Sequence, residues 1–392
     1  MNEINEVRKP PVATTGIIGW LRINLFFNWT NSLITLFVFY CLYQFIPWIL
    51  DWTIFSADFK YNYLGERITN QEMCSRNLDP ENGGACWAVI YVRFYQFIYG
   101  FYPKVEVWRV NISYAMLAIA LIPLLYTKLP YRKYFLYFTY IFPIIAYFLL
   151  NGGLQINFDE ENTFQFLNFN LESVSTNKWG GLLVTLVLGC TGIALAFPIG
   201  IILALGRRSK LPVISMMCTL FIEFIRGVPL ITLLFFGMVM LPLFLPAGID
   251  MDGLVRVLVA VTLFQSAYMA EVIRGGLQAI PPGQYEAAKS LGMSYWRMNL
   301  LIILPQAIRI SIPPIVNTSI GLFKDTTLVI IVGILDLLGI GRGTLADTNW
   351  LGLSYEIYFF VSLVFFIFTF GMSRYSLYLE KKLKTGINMG AD

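Results

Sequence analysis

Two pairs of opposite charges repeat inside otherwise apolar stretches of this chain. Glu223 precedes Arg226 by three residues, Glu271 precedes Arg274 by the same interval, and a glycine follows each arginine. Residues three apart lie on one face of a helix, so each acid is positioned to pair with its own base. Charges near the end of an apolar helix leave two interpretations open: an ion pair that anchors the helix end, or a gate or partner contact on the cytoplasmic side.

A third polar group lies in a later apolar stretch, just after the consecutive prolines 313 and 314. It consists of Asn317, Lys324, Asp325, Thr326 and Thr327. A helix that faces lipid does not carry so many polar side chains, so they indicate a cavity or a polar interface. The prolines free backbone carbonyls of the kind that discontinuous transporter helices use for substrate. Lys324 and Asp325 either meet the two charges of a zwitterion or neutralise each other inside the bundle.

The polar segment 281–305 is the sharpest interruption of the apolar pattern. Two prolines and a glycine end the preceding helix, residues 284–291 can form two helical turns, and a glycine stops them. In a membrane protein such a segment must lie outside the bilayer. It is either an inert connection or a docking surface for a soluble partner, and we favour docking. The residues that we expect to matter are Gly283, Glu286, Ala287, Ala288, Gly292, Leu304 and Pro305.

The composition predicts a polytopic membrane protein. Of the 392 residues, 57% are apolar and 13% are charged, against roughly 25% charged in a soluble domain. The continuous apolar runs predict membrane helices rather than the alternating strands of an outer-membrane barrel. The chain contains no histidine, which excludes haem ligation by imidazole, His-based zinc sites and Ser-His-Asp catalysis. Membrane cytochromes and many intramembrane hydrolases are thereby excluded. We expect no catalytic residues, no metal and no cofactor.

Eight apolar stretches predict an all-α protein with about eight transmembrane helices. They are 32–50, 112–126, 135–150, 181–205, 214–245, 254–270, 308–338 and 357–377. Gly339, Gly341 and Gly343 then suggest a glycine-rich turn outside the membrane. A change in composition near residue 178 predicts two domains, residues 1–178 with three spans and residues 179–384 with five.

The basic residues of the short loops predict that both termini are cytoplasmic, because Lys and Arg prefer that side. The loops in question carry Lys128, Arg132 and Lys133; Arg207, Arg208 and Lys210; and Lys381, Lys382 and Lys384. This orientation puts the loop 51–110 outside, as a structural cap or a docking surface. Its Cys74 and Cys86 are then a possible disulfide, since that side permits oxidation.

The segment 281–305 resembles a motif of known transporters. Glu286-Ala287-Ala288, the glycine at 292 and Ile302-Ile303-Leu304-Pro305 look like the EAA loop of permease subunits from bacterial ABC importers. Further elements resemble the polar amino acid permeases of the histidine, glutamine and general L-amino acid systems. Those elements are Arg226-Gly227-Val228-Pro229-Leu230, Ala267-Tyr268-Met269-Ala270-Glu271, Arg274-Gly275-Gly276, Gly283-Gln284-Tyr285-Glu286 and Lys324-Asp325-Thr326-Thr327-Leu328.

This resemblance implies the fold, the partners and the location of a type I importer permease in the bacterial inner membrane. The implied core has five helices, here preceded by three, and the segment 281–305 is implied to be its cytoplasmic coupling loop. The implied partners are a second permease, two ATP-binding ATPase subunits, an external amino-acid-binding protein and membrane lipid, with no nucleic acid.

Two competing functions agree less well with the sequence. The chain has no G-x-x-x-x-G-K-[ST] loop for nucleotide phosphates, so ATP hydrolysis is expected in a partner. A secondary transporter driven by an ion gradient would have similar inverted halves and a buried acid near the bilayer centre, and these halves are dissimilar. A lipid-modifying enzyme would need a converging group of acids, Lys or Cys, which the spacing does not provide. The sequence does not indicate which amino acids are carried.

Overall fold

The computed structural model describes residues 16–79, 83–125, 131–152, 154–159, 162–166, 171–246 and 251–388. Within these residues the chain forms fifteen α-helices and one two-stranded hairpin. The contacts divide the chain into two compact units, one up to Tyr91 and one from Val92 onward, and this division falls inside a helix. The domain boundary that composition suggests near residue 178 stays a prediction.

The first unit begins with a short helix and a long one. Helix α1 covers Gly16–Asn24 and helix α2 covers Trp29–Leu50, which continues as a wider π-helical turn over Asp51–Phe55. Helix α2 is apolar on every side, and none of its residues is buried. Such a helix has the composition of a membrane span that faces lipid.

The rest of the first unit is a small segment held together by one disulfide and a buried carboxylate. Cys74 and Cys86 form the disulfide, with an S–S distance of 2.06 Å, and Ser75–Leu78 forms the short helix α3. Asp58 is buried and accepts hydrogen bonds from the backbone N–H and the hydroxyl of Ser75, both at 2.6 Å. These contacts give a segment with few apolar residues a fixed structure.

The second unit contains the remaining helices. They are α4 (Ala88–Tyr99, which crosses the division), α5 (Val107–Leu125), α6 (Arg132–Asn151), α7 (Gly181–Arg207), α8 (Pro212–Gly227), α9 (Leu230–Phe235), α10 (Gly253–Gln278), α11 (Pro282–Ser290), α12 (Tyr295–Met298), α13 (Leu304–Asp325), α14 (Leu337–Leu345) and α15 (Ser354–Asn388). Between α6 and α7, β1 (Leu154–Asp159) pairs antiparallel with β2 (Asn162–Phe166). This hairpin is the exception to the all-α prediction.

Helix α10 is the centre of the second unit and packs against α7 and α13. Small residues on α7 permit the close approach: a Cβ atom on Gly200 would lie 2.8 Å from Met269 Cβ. On α10, a Cβ atom on Gly276 would lie 2.5 Å from the carbonyl oxygen of Ala307 in α13. Small residues at helix contacts are typical of membrane bundles, where backbones must come close to gain packing energy.

The number of spans agrees with the prediction, but two predicted spans are not single helices. Among the described residues, six helices are long and apolar enough to cross a membrane, and two bent pairs bring the number to eight if each pair is one span. The predicted span 214–245 is bent by 106° between α8 and α9. Val228 is extended there (φ −99°, ψ 134°) because the ring of Pro229 disfavours helical backbone in the residue before it.

The predicted span 308–338 also ends earlier than expected. Helix α13 stops at Asp325, a 3₁₀ turn follows over Thr326–Val332, and Gly333 reverses the chain with φ +83°. The glycine-rich residues 339–343, expected as a turn, lie within α14 instead. Asp336 starts that helix by accepting a hydrogen bond from the N–H of Gly339 at 2.8 Å, which outweighs the weak helical preference of glycine.

Candidate functional site

The segment 281–305, which we call the coupling loop after the role that the resemblance implies for it, is held in one shape by backbone hydrogen bonds. After α11 the N–H of Gly292 donates to the carbonyl of Lys289 at 2.9 Å, and the N–H of Met293 donates to the carbonyl of Ala288 at 3.2 Å. This is the Schellman pattern, which requires a left-handed residue, and Gly292 has φ +68°. The bend between α11 and α12 is therefore a specific structure rather than a loose connection.

Helix α11 presents one face to solvent and uses the other for packing. Glu286 and Ala287 are exposed, whereas Ala288 is buried in an apolar cluster with Met298 and Ile303. Ala287 and Ala288 therefore have different roles, although their small size alone predicts that both belong to one smooth docking surface. The inner alanine lets α11 lie close to the bundle, and the outer residues remain available to a partner.

The other predicted residues of the loop are also divided between the two sides. Gly283 is exposed at the start of α11, and a Cβ atom there would meet nothing within 4 Å. Leu304 is buried in the same apolar cluster, and Pro305 is exposed in the first turn of α13. Leu304 therefore belongs to the apolar cluster on which the loop packs.

A cluster of five charged residues, the charge cluster, lies where α7, α8 and α10 come together. Its members are Arg207, Glu223, Arg226, Glu271 and Arg274. Within the second tetrad, residues 271–274, Arg274 Nε donates to Glu271 Oε2 at 2.9 Å, as the spacing predicts. The first tetrad, residues 223–226, behaves differently, because Glu223 pairs with Arg207 at 2.8 Å and Arg226 lies 3.9 Å from Glu271.

Arg207 connects the two acids of the charge cluster, a role that its position in a basic loop did not predict. Its Nη2 lies 2.8 Å from Glu223 and its Nη1 lies 3.2 Å from Glu271. The next residue, Arg208, reaches the coupling loop, where its Nη1 donates to the hydroxyl of Tyr285 at 3.0 Å. The charge cluster and the coupling loop therefore lie at the same end of the bundle. Two consecutive arginines at a helix end were the available sequence signal.

The polar residues in α13 and just after its end form two groups. One group lies on an exposed face of the helix, the open face, and the other makes hydrogen bonds within its own turn. Asn317 and Lys324 are exposed and lie two helical turns apart on one face, and Asp325 is half-buried. The hydroxyls of Thr326 and Thr327 donate to carbonyls of their own turn at 2.8 and 2.9 Å. Within the part of the chain that the structure describes, no salt bridge joins Lys324 and Asp325.

The comparisons with known proteins point to one group of transporters. Residues 196–385 match the model of the family described as the inner membrane component of binding-protein-dependent transport systems. The inner membrane amino-acid ABC transporter permease protein YhdY of Escherichia coli K12 is 46% identical over 94% of this chain and 93% of its own length. The chain belongs to the permease subunits of amino-acid ABC transporters.

Two further similarities complete the comparison. The glutamate/glutamine/aspartate/asparagine transport system permease protein BztC of Rhodobacter capsulatus is 42% identical over 96% of both chains. A solved structure, the crystal structure of an amino acid ABC transporter with histidines, is 31% identical, with a TM-score of 0.46 and coverage of 52% of this permease and 92% of that chain. The similarity to YhdY and BztC covers 94% and 96% of this permease, so it includes most of the first unit as well as the matched family region.

Proposed function

We propose that this permease imports amino acids into the cytoplasm with energy from separate ATPase subunits. The observation that carries the proposal is the fixed shape of the coupling loop, with Glu286 and Ala287 exposed beside the bend at Gly292. A rigid protrusion that carries the exposed charges of Glu286 and Lys289 fits a groove on a soluble protein and transmits force. Closure of two ATPases on ATP would then rock the helices that the loop is attached to.

The remaining subunits and the orientation are part of the same proposal. A second permease would complete the bundle, an external binding protein would deliver the amino acid, and both termini would be cytoplasmic in a bacterial inner membrane. The basic residues near the ends of α7 and α15 support this orientation, because they favour the cytoplasmic side. The first three predicted spans and the external loop 51–110 would form an addition to the five-helix core.

The open face of α13 is the best candidate for contact with the transported amino acid. Asn317, Lys324 and Asp325 are the polar groups available there. Lys324 would attract the carboxylate of a substrate and Asp325 its ammonium group. The specificity in the name of BztC makes glutamate, glutamine, aspartate and asparagine the first amino acids to test.

Substitutions in the coupling loop test the proposal in the complete complex. Glu286→Arg is expected to lower ATP-driven uptake by about tenfold or more while the protein stays in the membrane, since a misplaced charge in an interface costs several kcal/mol. Gly292→Val strains the left-handed bend and is expected to have a similar effect. The measurement is uptake of the four labelled amino acids by membrane vesicles with and without ATP.

Matched controls separate docking from general damage. Glu66→Arg reverses a charge on an exposed external residue, and Gly65→Val imposes strain at another open left-handed glycine with φ +80°. Both controls are expected to keep normal uptake. Uptake that persists in the Glu286→Arg variant, or that follows an ion gradient when ATP is absent, would contradict the proposal and favour a secondary transporter.

A further inference from the structure

The two consecutive arginines at the end of α7 bind different parts of the molecule. Arg207 contacts Glu223 in α8 and Glu271 in α10, at 2.8 and 3.2 Å. Arg208 contacts Tyr285 in α11 and places its guanidinium 5.5 Å from the centre of the phenol ring. Because the two residues share one peptide bond, a shift of either is felt by the other.

Tyr285 itself is bonded to two helices through one hydroxyl. The oxygen accepts from Arg208 at 3.0 Å, and the hydroxyl donates to the carbonyl of Leu277, near the end of α10, at 3.2 Å. The tyrosine is half-buried, so the contact is partly shielded from water. Helix α11 is thus fastened at one point to the ends of both α7 and α10.

The rest of the turn after α7 is stiff enough to transmit a displacement. The hydroxyl of Ser215 in α8 donates to the carbonyl of Arg207 at 2.8 Å, which fixes the backbone between the arginine pair and α8. On the other side of α11, Gln284 and Gln306 meet through a neutral hydrogen bond at 3.3 Å. Hydrogen bonds to charged groups are stronger and more directional than neutral ones, so the arginine side is the firmer attachment.

We propose that Tyr285 and Arg208 form a latch that carries movement of the coupling helix to the charge cluster. This inference rests on the proposed function, because it presupposes that an ATPase moves α11. When α11 shifts, Tyr285 pulls Arg208, and Arg207 changes its contacts with Glu223 and Glu271 across α8 and α10. Coupling between sites requires such an element with two arrangements that both sites bias. Tyr285 and Arg208 act as positioning residues and need not touch the amino acid.

The test is the ratio of amino acid transported to ATP hydrolysed by the purified complex in proteoliposomes with its binding protein. Tyr285→Phe removes only the hydroxyl, and Arg208→Gln removes the charge and shortens the side chain. Each is expected to lower the ratio by about fivefold, the lower range of coupling between sites, while the ATPase subunits still co-purify. The double variant is expected to fall no further than either single variant, because both changes break one connection.

Matched variants decide whether the latch or a general defect causes the loss. Lys210→Gln removes the same charge from the same turn, Tyr355→Phe removes a hydroxyl from an exposed tyrosine elsewhere, and both are expected to keep the normal ratio. Arg208→Lys keeps a donor for the phenol oxygen and is expected to restore most of the ratio. An unchanged ratio in Tyr285→Phe and Arg208→Gln, or loss of the ATPases from those variants, would overturn the latch. Failure of the unmodified complex to couple uptake to ATP would instead overturn the proposed function.

Discussion

Helices α2 and α10 are both long and apolar, yet one buries nothing and the other forms the centre of the second unit. Helix α2 has 22 residues without a glycine or an alanine, and all of them are at least partly exposed. Helix α10 has 26 residues, and 56% of the residues in its most apolar 18-residue stretch are buried. Its contacts are made by small residues such as Ala267, Ala270 and Gly276. Hydropathy therefore identifies a span, whereas residue size determines whether that span packs against other helices.

The largest expected effect comes from Gly276, one of two adjacent glycines in α10. Gly276→Leu would place a side chain against the Ser311 hydroxyl and 2.5 Å from the Ala307 carbonyl. We expect a loss of about 3 kcal/mol or more in stability, since overpacking displaces backbone. Thermal unfolding of the detergent-solubilised protein, followed by size-exclusion chromatography, measures the effect.

The neighbouring glycine supplies the control for that experiment. A Cβ atom on Gly275 meets nothing within 4 Å, so Gly275→Leu is expected to unfold near the temperature of the unmodified protein. Equal losses of stability in the two variants would mean that both glycines are needed for helix flexibility rather than for contact with α13.

The comparison of these helices also marks what the sequence was able to predict. Spans depend on about twenty neighbouring residues, so composition alone located them, and the acid and base of the second tetrad paired as their spacing required. The partner of Glu223 was not predictable, because Arg207 is distant in sequence and reaches it only after α7 packs on α8. Pro229 indicates a break in the helix, but the angle of the bend depends on tertiary packing and was not predictable.

A buried carboxylate near the start of α14 provides the next test, through pH. Asp336 is buried and lies between the last two spans, and burial raises the pKa of its carboxyl to about 6 although the Gly339 N–H opposes this. The folded state therefore binds a proton at the Asp336 carboxylate more tightly than the unfolded state does. The resulting stabilisation is complete below about pH 4 and is lost as the pH rises through about 6. Its size is at most about 3 kcal/mol.

Asp336→Asn should remove this pH dependence while keeping the oxygen that accepts from Gly339. Melting temperatures measured from pH 4 to pH 8 are expected to decline in the unmodified protein more than in the variant. Parallel curves for the two proteins would show that other groups cause the decline.

The smallest expected effect belongs to α2. Leu36 is 62% exposed, so Leu36→Ala is expected to change stability by less than about 0.5 kcal/mol. Leu188→Ala in α7 is the reference, because Leu188 is completely buried and such changes cost about 2–5 kcal/mol. A loss at Leu36 as large as that at Leu188 would show that another protein covers α2 in the assembly.

The Schellman bend at Gly292 has a thermodynamic consequence for assembly. A recognition element that must first become ordered spends part of its contact energy on lost conformational entropy. Here the two backbone hydrogen bonds at Lys289 and Ala288 have already fixed the bend within the permease. Association at this point therefore requires little reorganisation, and repeated cycles of engagement would leave most of the interaction energy available for mechanical work.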